Sequence, residues 1–188
     1  MITGILLAAG ASRRFGSNKL LQTLDNNQTV LGTSALKLHQ NVEQMFVVIR
    51  SDDTASADLL SKLDIKFIVC DQADNGMGAS LSCGVQASAD ASGWVVALAD
   101  MPFVAPSVYS AIVTSIKSGN LLAAPFYNFK RGHPVGFSSA LYPELIALDD
   151  DTGAKNIIAR HANELDALEC DDPGVIRDID TPADLGIG

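Results

Sequence analysis

Single carboxylates follow two apolar runs of the chain. Asp100 comes directly after the run Trp94–Ala99, and Asp180 comes directly after Val175–Ile179. A carboxylate at the carboxyl end of a strand is well placed to hold Mg²⁺ beside a substrate phosphate, because magnesium sites combine one or two carboxylates with phosphate oxygens and water. If the two strands are close neighbours, Asp100 and Asp180 form one magnesium site. Asp178 is the weaker candidate, since alternation along a strand turns it to the other face.

The loop after the first apolar run carries a pattern suited to phosphate. Small residues are followed by a serine and three cations, in the order Leu7, Ala8, Ala9, Gly10, Ser12, Arg13, Arg14 and Lys19. Small residues let backbone N–H groups approach phosphate oxygens, and arginine and lysine neutralise the charge. The loop has neither a Walker A pattern nor the Gly-x-Gly-x-x-Gly of a Rossmann fingerprint. The pattern therefore predicts a phosphate site at a strand's carboxyl end, where ligands of open α/β sheets lie.

Two later segments place glycine beside polar groups. Gly76 and Gly78 precede a helical pattern and permit close approach of a ligand, with Ser80 just beyond. The other segment joins two cations, a glycine, a histidine and a proline, as Lys130, Arg131, Gly132, His133 and Pro134. It lies within residues 101–143, a stretch without acids, and the neighbouring cations raise the odds that its histidine contacts a ligand.

Each of these groups also has a structural interpretation. Asp100 would cap the next helix, although Pro106 and Ser107 stand nearer that helix start. Ser80 would cap its own helix, and His133 would be an ordinary core histidine. The cations of the first loop would form a basic surface segment. The metal role of Asp100 and the phosphate role of the first loop are the favoured interpretations, while the others stay open.

Four ordered motifs resemble those of nucleotidyltransferases with the nucleotide-diphospho-sugar transferase fold. They are Leu-Ala-Ala-Gly-x-Ser-x-Arg-x-Gly-x-x-Lys at 7–19, Gly-Met-Gly-x-Ser-Leu at 76–81, Asp-Met-Pro at 100–102 and Asp-Ile-Asp-Thr-Pro-x-Asp at 178–184. The resemblance implies that the first loop wraps a nucleoside triphosphate and that the second motif lies over the base. It also implies that Arg14 and Lys19 hold phosphates, with Arg13 contributing less, and that Asp100 and Asp180 bind Mg²⁺.

Two segments resemble the molybdenum cofactor cytidylyltransferase branch of this family. Gly-His-Pro-Val at 132–135 is similar to an element of that branch, which binds a pterin bearing a phosphate. Residues 151–155 are similar to its Gly-Asp-x-Gly-Ala-Arg turn, with Asp150 in place of the first Gly and Lys155 in place of Arg. The resemblance implies acceptor contacts from residues 130–134, Asp151 and Gly153.

The reaction implied by the resemblance is Mg²⁺-dependent transfer of CMP from CTP to a molybdopterin-type acceptor. The acceptor's terminal phosphate attacks the α-phosphate in line and pyrophosphate leaves, which requires positioning and charge stabilisation but no nucleophilic side chain. The choice of CTP depends on Ala9, since guanylyl-transferring relatives have glycine there. Guanylyl transfer, or another NTP with another phosphorylated small molecule, is the alternative. An alternative of another class is a non-catalytic chaperone of a molybdenum enzyme that binds a nucleotide or a cofactor. If the protein is a transferase, a molybdenum enzyme would be the recipient of its product.

Strands and helices must alternate to position these groups. Near-continuous apolar runs predict strands covered on both faces, at 2–8, 44–50, 66–70, 94–99, 121–126, 135–137 and 175–179. Helical patterns lie between them, at 30–39, 55–63, 79–87, 107–118, 140–148 and 154–162. The order predicts a mostly parallel sheet in a three-layer α/β/α arrangement, with a hairpin-like excursion between 121–126 and 135–137. We expect one domain over 1–188, with a nucleotide-binding half at 1–105 and an acceptor-binding half at 106–188.

The composition excludes several classes of partner. The net charge of -9 comes entirely from residues 144–188, which contain three basic and twelve acidic side chains. A chain this acidic is a poor binder of nucleic acid or of anionic membranes. Its three cysteines are widely spaced, which argues against a disulfide framework or a zinc site. The apolar start of the chain has no basic segment before it, so we expect a cytoplasmic strand and not a signal peptide.

Overall fold

Most of the apolar runs become strands of one mixed sheet in the computed structural model, which describes residues 1–10 and 18–185. The strands are β1 (Ile2–Leu7), β2 (Gln44–Arg50), β3 (Phe67–Cys70), β4 (Gly93–Leu98), β5 (Leu122–Tyr127), β6 (Lys130–Arg131), β7 (Val135–Ser138) and β8 (Leu165–Glu169). The helices are α1 (Val30–His39), α2 (Thr54–Lys62), α3 (Met77–Gln86), α4 (Pro106–Lys117), α5 (Tyr142–Ile146) and α6 (Lys155–Arg160).

The sheet has a parallel side and a mixed side. Its order is β3-β2-β1-β4-β7-β5-β6, and β8 pairs in parallel with residues 122–126 along the other edge of β5. The four strands β3, β2, β1 and β4 are parallel, whereas β7 runs antiparallel to both β4 and β5. Parallel strands need crossover helices, which accounts for the helices between the first four strands along the chain. The predicted α/β architecture with a mostly parallel sheet is confirmed.

Helices cover both faces of this sheet. Neighbouring residues of a strand enter opposite cores, so that Leu6 packs with the core beneath α1 and α4, and Ile5 packs with the core beneath α3 and α5. Trp94 of β4 is fully buried in the second core, where its ring stacks on Tyr142 at a centroid distance of 5.9 Å. Burial on both faces explains why the central strands are apolar throughout, and the three-layer prediction is confirmed.

The hairpin-like excursion of the mixed side ends in a two-residue turn. Asn128 and Phe129 both adopt left-handed backbone conformations, with φ of 48° and 62°, and they connect β5 to the short strand β6. Two residues with positive φ are the usual connection of a tight hairpin, because their twist matches that of the strands. The chain then returns as β7 and inserts between β4 and β5.

One predicted strand is absent, and two strands were not predicted, namely β6 inside the expected excursion and β8. Residues 175–179 are not a strand, because Pro173 begins a 3-10 helix Pro173–Ile176 that Asp172 caps by accepting a hydrogen bond from Gly174 N. The apolar pattern there reflects the complete burial of Val175 and Ile179 in loop structure. β8 (Leu165–Glu169) lies at an edge and alternates apolar with acidic residues, so it shows no apolar run.

No helix in the parts of the chain that the structure describes is long and apolar enough to cross a membrane.

Candidate functional site

Two cavities meet at the carboxyl ends of β1 and β4. The first cavity has a volume of about 460 Å³, and the second has a volume of about 350 Å³. Four residues line both of them, namely Leu7, Met77, Leu98 and Asp151. Ligands in the two cavities would therefore lie next to each other, and such proximity favours a reaction between two bound molecules.

Small residues form the wall of the first cavity next to β1. Its lining includes Ala8, Ala9 and Gly10, which follow the strand, and Ala8 N donates to Val48 O at 2.9 Å. Among the described residues, a Cβ added at Gly10 would meet no heavy atom within 4 Å, so the space beside this backbone is open to a ligand. The opposite wall comes from Gly76 and Ser80, with further residues of the 73–77 loop.

Lys19 is held over this cavity by the residue before it. Asn18 caps the 3-10 helix Lys19–Leu21 by accepting a hydrogen bond from Leu20 N at 3.1 Å. The Asn18 amide also donates to both carboxylate oxygens of Asp53, at 3.3 Å each. Asp53 in turn caps α2 by accepting from Ser56 N. This chain of contacts fixes the start of the 3-10 helix and so the backbone position from which the Lys19 side chain extends.

The ammonium of Lys19 bridges two carboxylates. Lys19 Nζ lies 2.8 Å from Asp100 Oδ2 and 3.2 Å from Asp180 Oδ1. Burial alone would lower the pKa of Lys19, but the hydrogen bonds and charges of Asp100 and Asp180 outweigh it, and the pKa is raised above its ordinary value. Lys19 is therefore a full cation at neutral pH.

A third carboxylate belongs to the same cluster. Oxygen atoms of Asp100, Asp178 and Asp180 all lie within 4.8 Å of one another. Ile179 N donates to Asp100 O at 2.9 Å, and this backbone contact holds the 178–180 segment beside the end of β4. The expected clustering of Asp100 and Asp180 is thus observed, although no strand carries Asp180. We call Lys19 with these three residues the carboxylate cluster.

Asp184 fixes the backbone that carries Asp180. Its Oδ2 accepts hydrogen bonds from Asp180 N at 3.2 Å, from Thr181 N at 2.7 Å and from the Thr181 hydroxyl at 2.8 Å. These three donors hold the pKa of Asp184 below its usual value, with the Thr181 hydroxyl contributing most. Asp184 therefore stays ionised and orders the turn behind the cluster.

The turn after β4 is fixed from α1. Ser34 Oγ donates to Ala99 O at 2.8 Å, and Lys37 Nζ donates to Pro102 O at 2.6 Å and Val104 O at 2.9 Å. Burial lowers the pKa of Lys37. These contacts leave Asp100 at the end of its strand with its side chain turned to Lys19.

Glycines 76 and 78 allow the 150–151 turn to approach the loop closely. Gly78 N donates to Asp150 O at 2.7 Å, and a Cβ at Gly78 would lie 2.6 Å from that oxygen. A Cβ at Gly76 would lie 2.5 Å from Asp151 Cα, and Gly76 has a φ of 125°. This packing places Asp151 between the two cavities.

The second cavity has an apolar floor and polar groups around it. Leu81, Val96, Val135, Phe137 and Ile158 form the floor. Arg131, His133, Asp151, Thr152 and Lys155 supply its polar groups. An apolar floor with two cations and one carboxylate around it suits a partly apolar molecule that carries negative charge.

His133 is neutral at physiological pH. Burial lowers its pKa to about 4, and the charge of Arg131 acts in the same direction. Its Nδ1 is buried and has no hydrogen-bond partner within the described residues. A neutral imidazole can orient a ligand or accept a proton from it, but it adds no positive charge to the cavity.

A family model describes nearly the whole of this architecture. The model of the MobA-like NTP transferase domain matches residues 4–165. The chain belongs to this family. It is therefore a nucleotidyltransferase. The matched range contains every residue that lines the two cavities, whereas Asp178 and Asp180 lie beyond it.

Similar proteins cover nearly the full chain. The purine catabolism protein PucB of Bacillus subtilis (strain 168) is 32% identical over 196 residues, with 96% of this chain and 92% of that protein covered. The nicotine blue oxidoreductase of Paenarthrobacter nicotinovorans is 24% identical, over 96% of this chain and 92% of that protein. The manganese complex of Rv0371c from Mycobacterium tuberculosis H37Rv is 26% identical with a TM-score of 0.81, and it covers 97% of this chain and 95% of its own.

The NTP transferase fold brings most of the predicted site residues to the two cavities. Of the predicted nucleotide-binding residues, Leu7, Ala8, Ala9, Gly10, Lys19, Gly76 and Ser80 line the first cavity. Of the predicted acceptor-binding residues, Arg131, His133 and Asp151 line the second. Ser12, Arg13 and Arg14 lie outside the described residues. Their roles stay predictions.

Five of the predicted nucleotide- and acceptor-binding residues lie outside the lining of both cavities. Lys130 is exposed on β6, and Pro134 is buried behind His133. At Gly132 a Cβ would lie 2.3 Å from Val175 O, so this glycine serves the contact between the hairpin and the 173–176 segment. A Cβ at Gly78 would meet the backbone of Asp150, and a Cβ at Gly153 would meet the side chain of Met77. For these three glycines the packing supplies a structural reason for the residue type.

The sequence interpretation underrated Asp178 and missed Arg50. Asp178 was ranked low because strand alternation would turn it away, but residues 175–179 are not a strand and Asp178 joins the cluster. Arg50 ends β2, lines the first cavity and pairs with Asp74 at 2.7 Å. Its position at a strand's carboxyl end was a signal that could have identified it.

Proposed function

We propose that this NTP transferase moves CMP from CTP onto the terminal phosphate of a molybdopterin-type acceptor and releases pyrophosphate. The observation that supports this most strongly is the position of the carboxylate cluster, since its members Lys19 and Asp100 line the first cavity, which shares Asp151 with the second. In this proposal the first cavity holds the nucleotide and the second holds the acceptor. The reacting phosphates would then lie where the cavities meet.

The donor set fits a divalent ion such as Mg²⁺. Three carboxylates within 4.8 Å of one another supply only hard oxygen ligands, which magnesium and manganese prefer over softer ones. Asp100 and Asp180 would hold the ion, with Asp178 as a further ligand. When bound, the ion would neutralise charge on the triphosphate. That a neighbouring structure is a manganese complex agrees with a divalent site of this kind.

The side chains of this protein then have defined tasks. Lys19 and Arg14 hold phosphate oxygens, and Arg13 contributes less. The small residues Ala8, Ala9 and Gly10 allow the nucleotide to lie against the backbone, opposite Gly76 and Ser80. Arg131 attracts the charged end of the acceptor, and the apolar floor takes its ring system. Burial lowers the pKa of Arg131, but an arginine stays charged at neutral pH.

The transfer requires no covalent intermediate with the protein. An oxygen of the acceptor's terminal phosphate forms a bond to the α-phosphorus of the nucleotide. The bond from that phosphorus to the oxygen bridging to the β-phosphate breaks, and pyrophosphate leaves with the bond's electrons. The acceptor phosphate enters as a dianion, so no side chain has to remove a proton. The protein contributes alignment and positive charge.

We also propose that the protein prefers cytosine as the base of its nucleotide. Ala9 lines the first cavity and favours CTP on the grounds given by the resemblance. Guanylyl transfer is the second candidate, because two relatives that match part of the chain are named probable molybdenum cofactor guanylyltransferases, from Chloroflexus aggregans and Thermococcus gammatolerans. We further propose that the product passes to a molybdenum enzyme.

Pyrophosphate release tests the proposal directly. The protein is incubated with molybdopterin, Mg²⁺ and CTP, GTP, ATP or UTP in turn, and pyrophosphate is measured by a coupled assay. We expect release with CTP, at a rate that depends on both acceptor and metal. Release with GTP in preference to CTP would overturn the base assignment alone. No release with any NTP would overturn the assignment of this acceptor.

A further inference from the structure

The ammonium of Lys19 lies between the same oxygen atoms that would bind a divalent ion. Its Nζ is 2.8 Å from Asp100 Oδ2 and 3.2 Å from Asp180 Oδ1. An ion held by these two oxygens at about 2.1 Å would have to lie between them, in the space that the ammonium takes. Lys19 and the ion are therefore alternative counter-charges for one pair of carboxylates.

Electrostatics adds to this steric conflict. The cluster contains three carboxylates and one ammonium, so Lys19 already offsets part of its negative charge. A divalent ion entering beside Lys19 would meet a like charge at a distance of a few ångströms, in a site where the Lys19 side chain is only 14% exposed. Like charges that are only partly screened repel each other at this distance. The ion gains full access only if Lys19 moves away.

The first cavity offers Lys19 another partner. Lys19 lines that cavity together with Gly10 and Asp100. A triphosphate in the cavity would present several anionic oxygens to the ammonium, and a lysine on four flexible methylenes can reach them without a change in the backbone. Lys19 would give up its two hydrogen bonds to the carboxylates and form hydrogen bonds to phosphate oxygens instead. Its contacts would remain charge-assisted after this exchange.

We infer that Lys19 competes with the divalent ion for Asp100 and Asp180, and that the phosphates of the nucleotide relieve this competition by binding Lys19. The inference rests on the proposed function. Its consequence is that metal and nucleotide bind with positive coupling: the protein has low affinity for the free ion and acquires the ion together with the triphosphate. Lys19 is then the group that makes metal binding conditional on substrate.

Titration with Mn²⁺, followed by the EPR signal of the free ion, tests the competition. The variant Lys19→Met removes the charge and keeps the length of the side chain. Without nucleotide, we expect it to bind Mn²⁺ at least about tenfold more tightly than the unchanged protein. The control is Lys117→Met, which makes the same charge change at the exposed pair with Glu43, a pair that lies at the amino end of β2.

A second titration contains a CTP analogue, and in parallel a GTP analogue, with a methylene bridge between the α- and β-phosphates. We expect the analogue to increase the Mn²⁺ affinity of the unchanged protein by at least about tenfold and that of Lys19→Met by much less. Equal Mn²⁺ affinity of the unchanged protein and Lys19→Met without nucleotide would overturn the inference and leave the proposed function intact. Absence of Mn²⁺ binding by the unchanged protein even with both analogues would overturn the proposed function instead.

NMR on the unchanged protein covers the case in which Lys19→Met does not fold. The ¹³Cε resonance of Lys19, assigned by comparison with Lys19→Arg, is followed during a Mg²⁺ titration. We expect little change with Mg²⁺ alone and a clear shift once the nucleotide analogue is added. A full shift with Mg²⁺ alone, without the analogue, would show that Lys19 yields to the ion unaided and would overturn the inference.

Discussion

The parallel and mixed sides of the sheet build two different cavities from the same edge. On the parallel side, β1 and β4 end in small residues, a lysine and carboxylates. On the mixed side, β7 provides Val135 and Phe137 as a floor, and the hairpin provides Arg131 and His133. The parallel side brings together charges that a metal and a triphosphate require. The mixed side brings together an apolar surface with cations at its margin.

The difference arises from the direction of the strands. Parallel strands all end at one edge, so the groups that follow them collect there. In the mixed side, β7 runs the other way between β4 and β5, and its middle residues face the second cavity. The parallel side therefore exposes the ends of its strands to the first cavity, and the mixed side exposes the surface of a strand to the second cavity. A mobile polyphosphate suits the first kind of site, and a flat ring system suits the second.

Each cavity nevertheless does not correspond to one continuous part of the sequence. Asp178 and Asp180 belong to the last residues of the sequence but join Lys19 and Asp100. Asp151 lines both cavities. It stays a prediction that residues 1–105 bind the nucleotide and residues 106–188 bind the acceptor. Under this prediction, residues of both halves would form the metal site.

Removal of Asp100 should have the largest effect on the parallel side. Asp100→Ala deletes a carboxylate of the cluster and the nearer partner of Lys19. We expect the rate of pyrophosphate release to fall by about 10³-fold or more, because charge stabilisation at a phosphoryl site contributes several kcal/mol.

The matched control is Asp90→Ala, at an exposed position before β4. It should retain full activity, and thermal melts should show that both variants are folded. Unchanged activity of Asp100→Ala would remove the carboxylate cluster from the reaction.

Acid should destabilise the mixed side through His133. The pKa of His133 is about 4 in the folded protein, against about 6.5 in an unfolded chain, so the unfolded state binds the proton first as the pH falls. Between pH 6.5 and 4 this linkage should lower the free energy of unfolding by about 3 kcal/mol. Urea denaturation at pH 7, 6, 5 and 4, compared with His133→Gln, measures it.

His161 provides a control of opposite sign. Its hydrogen bonds to Glu164 and Glu144 raise its pKa, so its contribution to stability is present at low pH and is lost as the pH rises through the folded-state pKa. His161→Gln should therefore lose stability at acid pH relative to the unchanged protein. An equal pH dependence of the unchanged protein and His133→Gln would contradict the neutral, buried imidazole.

The contact between the two cavities is sensitive to Gly78. Gly78→Ala would place a Cβ 2.6 Å from Asp150 O, in backbone that cannot easily move. We expect a loss of about 1–3 kcal/mol in the free energy of unfolding, as for other overpacked sites, and a higher KM for the NTP, because the turn that carries Asp151 is displaced. Urea denaturation and steady-state kinetics measure the two effects.

Gly119→Ala is a control that separates the effect of steric overlap, expected at Gly78, from the effect of backbone strain. Gly119 has a φ of 98°, and a Cβ there would meet nothing within 4 Å. We expect a loss of about 1 kcal/mol from strain and no change in KM. If Gly78→Ala changes neither stability nor KM, the close approach of the turn is not what joins the cavities.

The smallest of these effects should distinguish the two neighbouring cations of the hairpin. Arg131 lines the second cavity, whereas Lys130 is exposed beside it. Arg131→Met should raise the KM for the acceptor by about tenfold, equivalent to the loss of one charge-assisted contact, with the KM for the NTP unchanged. Lys130→Met should change neither. The opposite order would place the acceptor's charge outside the second cavity.

Local patterns were sufficient for most of the fold and for the first cavity. The helix Val30–His39 has the predicted bounds, and the central strands follow apolar runs, because burial on both faces leaves a direct record in hydropathy. Lys19 and Asp100 were identified because each lies next to an apolar run in a motif. The predicted strand at 175–179 was wrong, since burial of Val175 and Ile179 in a loop produces the same pattern as a strand.

By itself the sequence determined which residues carry charge, which runs are buried and in which order strands and helices follow one another. The tertiary structure decided which of those groups meet. Asp178 joins Asp180 because Pro173 breaks the expected strand and Ile179 bonds to Asp100. Arg50 reaches the first cavity because β2 lies beside β1. Contacts of this kind depend on strand order and on loop hydrogen bonds between distant residues, and no local periodicity records them.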